Sequence, residues 1–435
     1  MGAIPGGVET DRQPPMSIPL RHFVVGLGFL VAGAFLGLGT VAGAIPGLTA
    51  LAHVHLLLAG WVCLTIMGAM TQFVPVWSGV SLYSRRLASA QLTLVAVGLS
   101  GFVASLLLDS LSWLIPFGGL MALGFWVFVY NLLRTMAPID DYDVTERHFL
   151  YSAGFFLLVT TLGLVLAIDF TTPVFAFLPV QRAGVVASHA TLAVFGAVLT
   201  AVYGALYQLG TMFTQTELHR VDEILRRVEE SGHPAGVALL AAGRFGGVAS
   251  VAGIGAGLIL VAALSVSVVL GRKLYEMRVD RAPMHTRYAV AVLSLPLWAL
   301  LTAPAWLTDP TGREHLLGSA GAAHLLVLGA VGFVVLGTLY HVVPFIVWVH
   351  RYSDRLGFED VPMVDDLYDD RLAAADATLL AVGTAVLVAS EWFGLSVLAR
   401  GAGGAMITLG VAVFAANMLL VVRTHSPHSL VGLFS

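Results

Sequence analysis

Apolar stretches long enough to cross a lipid bilayer follow one another along nearly the whole chain, and no other feature limits its fold so strongly. A span needs about 20 apolar residues. Such runs lie near 23–46, 50–77, 87–108, 112–133, 148–168, 183–212, 235–251, 253–271, 287–306, 318–349, 372–393 and 396–422. The expectation is an all-α, polytopic membrane protein with twelve transmembrane helices. Composition agrees, at 58% hydrophobic and only 11% charged residues, where a soluble domain carries about 25% charged. The spans form one domain, 23–423, between an N-terminal tail, 1–22, and a C-terminal tail, 424–435. The least distinct boundary is inside 235–271, where Arg244 and a glycine-rich stretch interrupt a continuous apolar run, read as two short spans.

Charged connections alternate with bare ones, which sets the orientation. Arg85/Arg86, Arg134/Arg147, Arg220/Arg226/Arg227, Arg272/Lys273 and Arg351/Arg355 fall on one side, and the other holds little beyond Arg182, Arg313 and Arg400. Both termini are thus expected in the cytoplasm, in the plasma membrane of a prokaryote. Nothing in residues 1–22 resembles a removed signal peptide. The single cysteine, Cys63, excludes an internal disulfide, a cysteine-ligated cluster and a CxxC heme attachment. No basic stripe suggests nucleic acid. Residues 214–232 resemble an amphipathic interfacial helix, although a solvated loop is the plainer reading there and for the acidic segment 351–371.

One pattern repeats. His55-x4-Gly60-x7-Gly68-x6-Pro75 recurs, gap for gap, as His324-x4-Gly329-x7-Gly337-x6-Pro344. A degenerate copy lies between them, with Gly196 and Gly204 keeping the glycine step and His189 seven residues before Gly196. The copies begin at 55, 191 and 324, about four spans apart, so the chain reads as three four-helix units with spans 2, 6 and 10 in matching places. Twenty residues from His55 to Pro75 make about 30 Å of helix, which puts the histidines near the outer face. Ionisable groups inside a bilayer are costly and mark function by default. Two imidazoles at one depth suit six-coordinate heme iron, and Gly60 and Gly329 belong to a small-residue surface that permits close approach. The plainer alternative has these histidines bonding helix carbonyls. His53, two residues from His55, points about 200° away on a straight helix. It shares its repeat position with His189, and the third occupant is Ala322. A second metal between His53 and His189, copper included, is a further candidate. Arg244 could neutralise a heme propionate.

HLLVLGAVGFVVLGTLYHVVPF (324–345) resembles the tenth helix of subunit I of the heme-copper oxidases, and HVHLLLAGWVCLTIMGAMTQFVPVWSG (53–79) resembles the second. The His-x-His start and Pro-x-Trp-x-Gly end of the latter are also similar to heme- and copper-containing membrane proteins of the nitric oxide response. The resemblance implies twelve spans in three arcs and a low-spin heme b held by His324 and by His55, or by His53 in its place. The superfamily's reductases carry a His-x-His on span 10, whose first histidine holds the catalytic heme; here that residue is Ala322. They carry a His-His pair on span 7, and 235–271 has none. The expected protein passes electrons from an outer-face donor to other respiratory subunits in the membrane and has lost the oxygen-reducing centre. The rivals are a divergent oxygen or nitric oxide reductase, and a heme-free transporter or copper-binding protein.

Overall fold

The computed structural model describes residues 14–434. Its long helices are α1 (Ser17–Val41), α2 (Thr49–Ser78), α3 (Arg85–Leu107), α4 (Leu111–Met136), α5 (Val144–Asp169), α6 (Arg182–Thr214), α7 (Arg220–Gly246), α8 (Ala249–Tyr275), α9 (Pro283–Thr308), α10 (Leu325–Arg351), α11 (Asp370–Trp392) and α12 (Val397–His425). No β-strand occurs among the described residues. Eleven of these helices are long and apolar enough to cross a membrane; α7 is not counted, because charges fill its first half. That half corrects the expectation for 214–232. It is not a loop: from Arg220 onward it is a two-faced helix that buries Asp222, Glu229 and His233 against the bundle and leaves Val221, Ile224 and Val228 exposed. The break that follows falls at Gly247, whose φ of +69° closes α7 in a left-handed cap open to glycine without strain.

Successive helices pack as antiparallel neighbours, and α1 returns against α12, where Thr408 Oγ1 donates to the Ala34 carbonyl at 3.3 Å. Within the ring stand α2, α6 and α10, with about half to four-fifths of their apolar windows buried. A cavity of about 60 Å³ on their shared axis is lined by Thr65, Met70, Ala201, Leu206 and Val335. It is far below the several hundred Å³ of a cofactor pocket.

The repeat recurs as backbone geometry. Each inner helix contains an eight-residue π-helical segment: Leu56–Cys63, Leu192–Leu199 and Leu325–Gly332. They begin immediately after His55, Thr191 and His324. Such wide turns are rare and concentrate at functional sites. The glycine fifth in each segment marks a helix crossing. A Cβ on Gly60 would lie 2.8 Å from the Phe29 side chain, on Gly196 2.8 Å from Phe155, and on Gly329 2.7 Å from Ser294. Eight residues on, Gly68, Gly204 and Gly337 face the side chains of His22, His148 and Arg287.

Those three residues are buried polar ties. Each donates to the carbonyl four residues earlier, on Ile18, Val144 and Pro283. Each also reaches across to a buried polar residue. His22 Nε2 accepts from Gln91 on α3, His148 pairs with Glu229 on α7, and Arg287 pairs with Asp376 on α11. Tyr207 and Tyr340, three residues after Gly204 and Gly337, donate to the same two carboxylates. A buried polar group left alone is expensive, so these ties fix which helices can be neighbours.

Candidate functional site

Four histidines gather at the ends of the inner helices remote from the arginine-rich loops. His53 and His55 lie on α2, His189 lies on α6, and His324 immediately precedes α10. All four are half-buried. In each, Nδ1 is engaged by an acceptor: the Gly33 carbonyl for His53 (2.8 Å), the Leu51 carbonyl for His55 (2.8 Å) and the Val159 carbonyl for His189 (3.0 Å). For His324 the acceptor is the Glu391 carboxylate, at 2.8 and 3.0 Å. An imidazole that donates from Nδ1 keeps Nε2 as a bare lone pair, the arrangement that outer hydrogen bonds impose on metal-ligating histidines. None of the four Nε2 atoms has a hydrogen-bond partner among the described residues.

The partners of the two α2 histidines follow from their opposite azimuths. The ring of His55 faces Phe102 on α3 and His189 on α6, with ring centres 5.1 and 6.4 Å away. His53 turns to α1, where its Nδ1 donates to the Gly33 carbonyl. The ring neighbour observed for His55 on another inner helix is thus His189, while His53 turns the other way, as its azimuth predicts. Glycines make the seats. A Cβ on Gly37 would meet the His53 ring at 2.5 Å, and one on Gly163 would meet the His189 ring at 2.9 Å. Gly60 and Gly329 admit neighbouring helices, through Phe29 and Ser294, and do not line the histidine rings.

Each junction between inner helices therefore draws on the same two repeat positions. The α2–α6 junction has His55 and His189; the α10–α2 junction has His324 and His53. Where α6 meets α10 the matching residues are Thr191 and Ala322. Side chains fill that third junction. Trp298 and Trp306 are buried there with Phe195, ring centres 5.5–5.7 Å apart. Arg244 donates to Thr191 Oγ1 and to the carbonyls of Pro310, Leu316 and His315, and its guanidinium lies over Trp306. Its donors are taken up by protein oxygens, which leaves it poorly placed to serve a propionate.

Two residues that the sequence did not single out complete the His53–His324 junction. Glu391 was visible only as a charge inside a span; its cost in a bilayer is the signal that it needs a partner, which proves to be His324. Arg400 begins α12 at the same end of the bundle, one turn before Gly404, which packs on Leu38 of α1 beside the His53 seat. The Arg400 Nε is buried and has no hydrogen-bond partner among the described residues. Two imidazoles whose Nε2 atoms are unengaged, one of them backed by a carboxylate, fit a ligand that brings a metal. No protein-family model matches the chain, and no curated protein matches it either.

Proposed function

We propose that this protein is a heme-binding electron carrier of the membrane, built like subunit I of the heme-copper oxidases. In this reading α7 crosses with the other eleven helices, giving twelve spans in three four-helix units. The arginine-rich loops and both termini face the cytoplasm of a prokaryote, and the histidines lie in the outer leaflet. His53 and His324 would hold a low-spin heme b, with Glu391 orienting His324. The observation that carries the reading is the pair of Nε2 atoms left bare by Nδ1 anchors on neighbouring helices. Bound there, six-coordinate heme supplies reversible one-electron transfer with no open coordination site for a gas. The side chains do the rest: Gly33 and Glu391 fix the ring orientations, and the apolar faces of α1 and α12 keep water from the iron.

The tryptophans and Arg244 packed into the α6–α10 junction support a carrier over a reductase, because the position that would hold a catalytic heme in the related enzymes is the enclosed Ala322. Electrons would enter from a donor on the outer face and leave to another respiratory subunit in the membrane. The test is the reduced-minus-oxidised spectrum of the purified protein. A sharp α band of bis-imidazole heme b is expected, and His324→Ala or His53→Ala should each abolish the low-spin species. A wild-type protein without heme, or a band that survives both substitutions unchanged, overturns the reading.

A further inference from the structure

We infer that the α2–α6 junction is a second heme seat, with His55 and His189 as its axial ligands. The inference shares the chemistry of the function proposed above but rests on a different pair of residues. The two rings lie within 23° of parallel with centres 6.4 Å apart. That is too far for stacking contact. It matches two imidazoles gripping one metal from opposite sides, since metal–nitrogen bonds of about 2 Å put ring centres about 6 Å apart. Nδ1 of each ring is already spent, on the Leu51 and Val159 carbonyls, so the remaining nitrogen on each is Nε2.

The local backbone is built for these rings. Gly163 leaves the space that His189 occupies, because a Cβ there would lie 2.9 Å from the imidazole. The π turn of α2 starts at the residue after His55, as that of α10 starts after His324. The junction also reuses the two positions that form the His53–His324 pair, contributed by the next helix round the axis. Histidine occupies both positions in two junctions and neither in the third, where Thr191 and Ala322 stand.

The ligand class follows from charge. Among the described residues no group of three or more His, Cys, Asp or Glu side chains could hold a metal ion. A bare divalent ion on two neutral imidazoles would carry its full charge into a low-dielectric site. Ferrous iron in a porphyrin brings a dianion and four nitrogens of its own, and needs from the protein only the two axial ligands present. Phe102, 5.1 Å from the His55 ring, supplies an aromatic wall.

Heme and metal content per chain, with low-temperature electron paramagnetic resonance of the oxidised protein, tests the assignment on the full-length protein. The wild type should bind two hemes and give two low-spin signals. His189→Ala should remove one heme and one signal, and His324→Ala the other. His189→Gly with added imidazole should restore the lost signal, which separates ligand loss from misfolding. A single heme that survives His189→Ala but not His324→Ala overturns this inference and leaves the first seat standing. A single heme lost in His189→Ala and retained in His324→Ala keeps this seat and overturns the other. Loss of copper in place of heme on His189→Ala overturns the ligand class.

Discussion

A histidine in these helices is defined less by its own position than by what holds its Nδ1. His53, His55 and His189 rest on backbone carbonyls, and His324 alone rests on a carboxylate. A carboxylate behind an axial imidazole makes that ligand a stronger electron donor and favours ferric iron. At the proposed site Glu391→Gln should therefore retain the heme and raise its midpoint potential, read by spectroelectrochemical titration. An unchanged potential would place Glu391 away from the heme. Glu391 was readable in the sequence only as an isolated charge, since its partner comes from a segment far away along the chain.

Helices here are joined by a device that recurs at one level of the bundle. His22 with Gln91, His148 with Glu229 and Arg287 with Asp376 each tie a helix to the next but one, α1 to α3, α5 to α7 and α9 to α11. The Arg287–Asp376 pair is enclosed on all sides, with Tyr340 donating to the carboxylate, the guanidinium 4.1 Å from the Tyr340 ring centre, and Asn417 donating to Tyr340. Removing one partner from such a pair costs about 3–5 kcal/mol, whereas replacing both by apolar groups is often neutral. Asp376→Leu or Arg287→Met alone should accordingly lower the thermal stability in detergent sharply, and the two together should recover most of it. The measurement is the melting temperature of the four proteins of the cycle, and additive losses would show that the pair acts as two independent residues. The spacing of apolar residues announced the helices themselves. It missed the true length of α7, because a window tuned to apolar runs discards a half-helix rich in charge, two of whose carboxylates, Asp222 and Glu229, are buried by pairing.

At the scale of the molecule, the arrangement places three inner helices within a ring that closes between α1 and α12. The proposed orientation makes a direct prediction at the surface. Leu398, at the start of α12, is 83% exposed, and Phe358, in the loop after α10, is 89% exposed; Cys63 is buried and gives little background. Leu398→Cys should react with a membrane-impermeant maleimide in intact cells, and Phe358→Cys only after the membrane is opened. The reverse pattern would invert the topology and move the histidines to the cytoplasmic leaflet.

The sequence alone determined that this chain is a bundle of membrane helices and that the His-Gly-Gly-Pro pattern falls on corresponding helices. Both are local properties, carried by hydropathy over about 20 residues and by a spacing counted along one strand of text. Which histidine meets which was decided by the tertiary structure. Two residues apart on a helix means opposite faces, and whether His53 or His55 turns toward α10 depends on how α2 packs between α1, α3 and α6. The partners of Glu391 and Arg244 were decided in the same way, because a buried charge is satisfied by whatever the fold brings to it and carries no mark of that partner in its own neighbourhood.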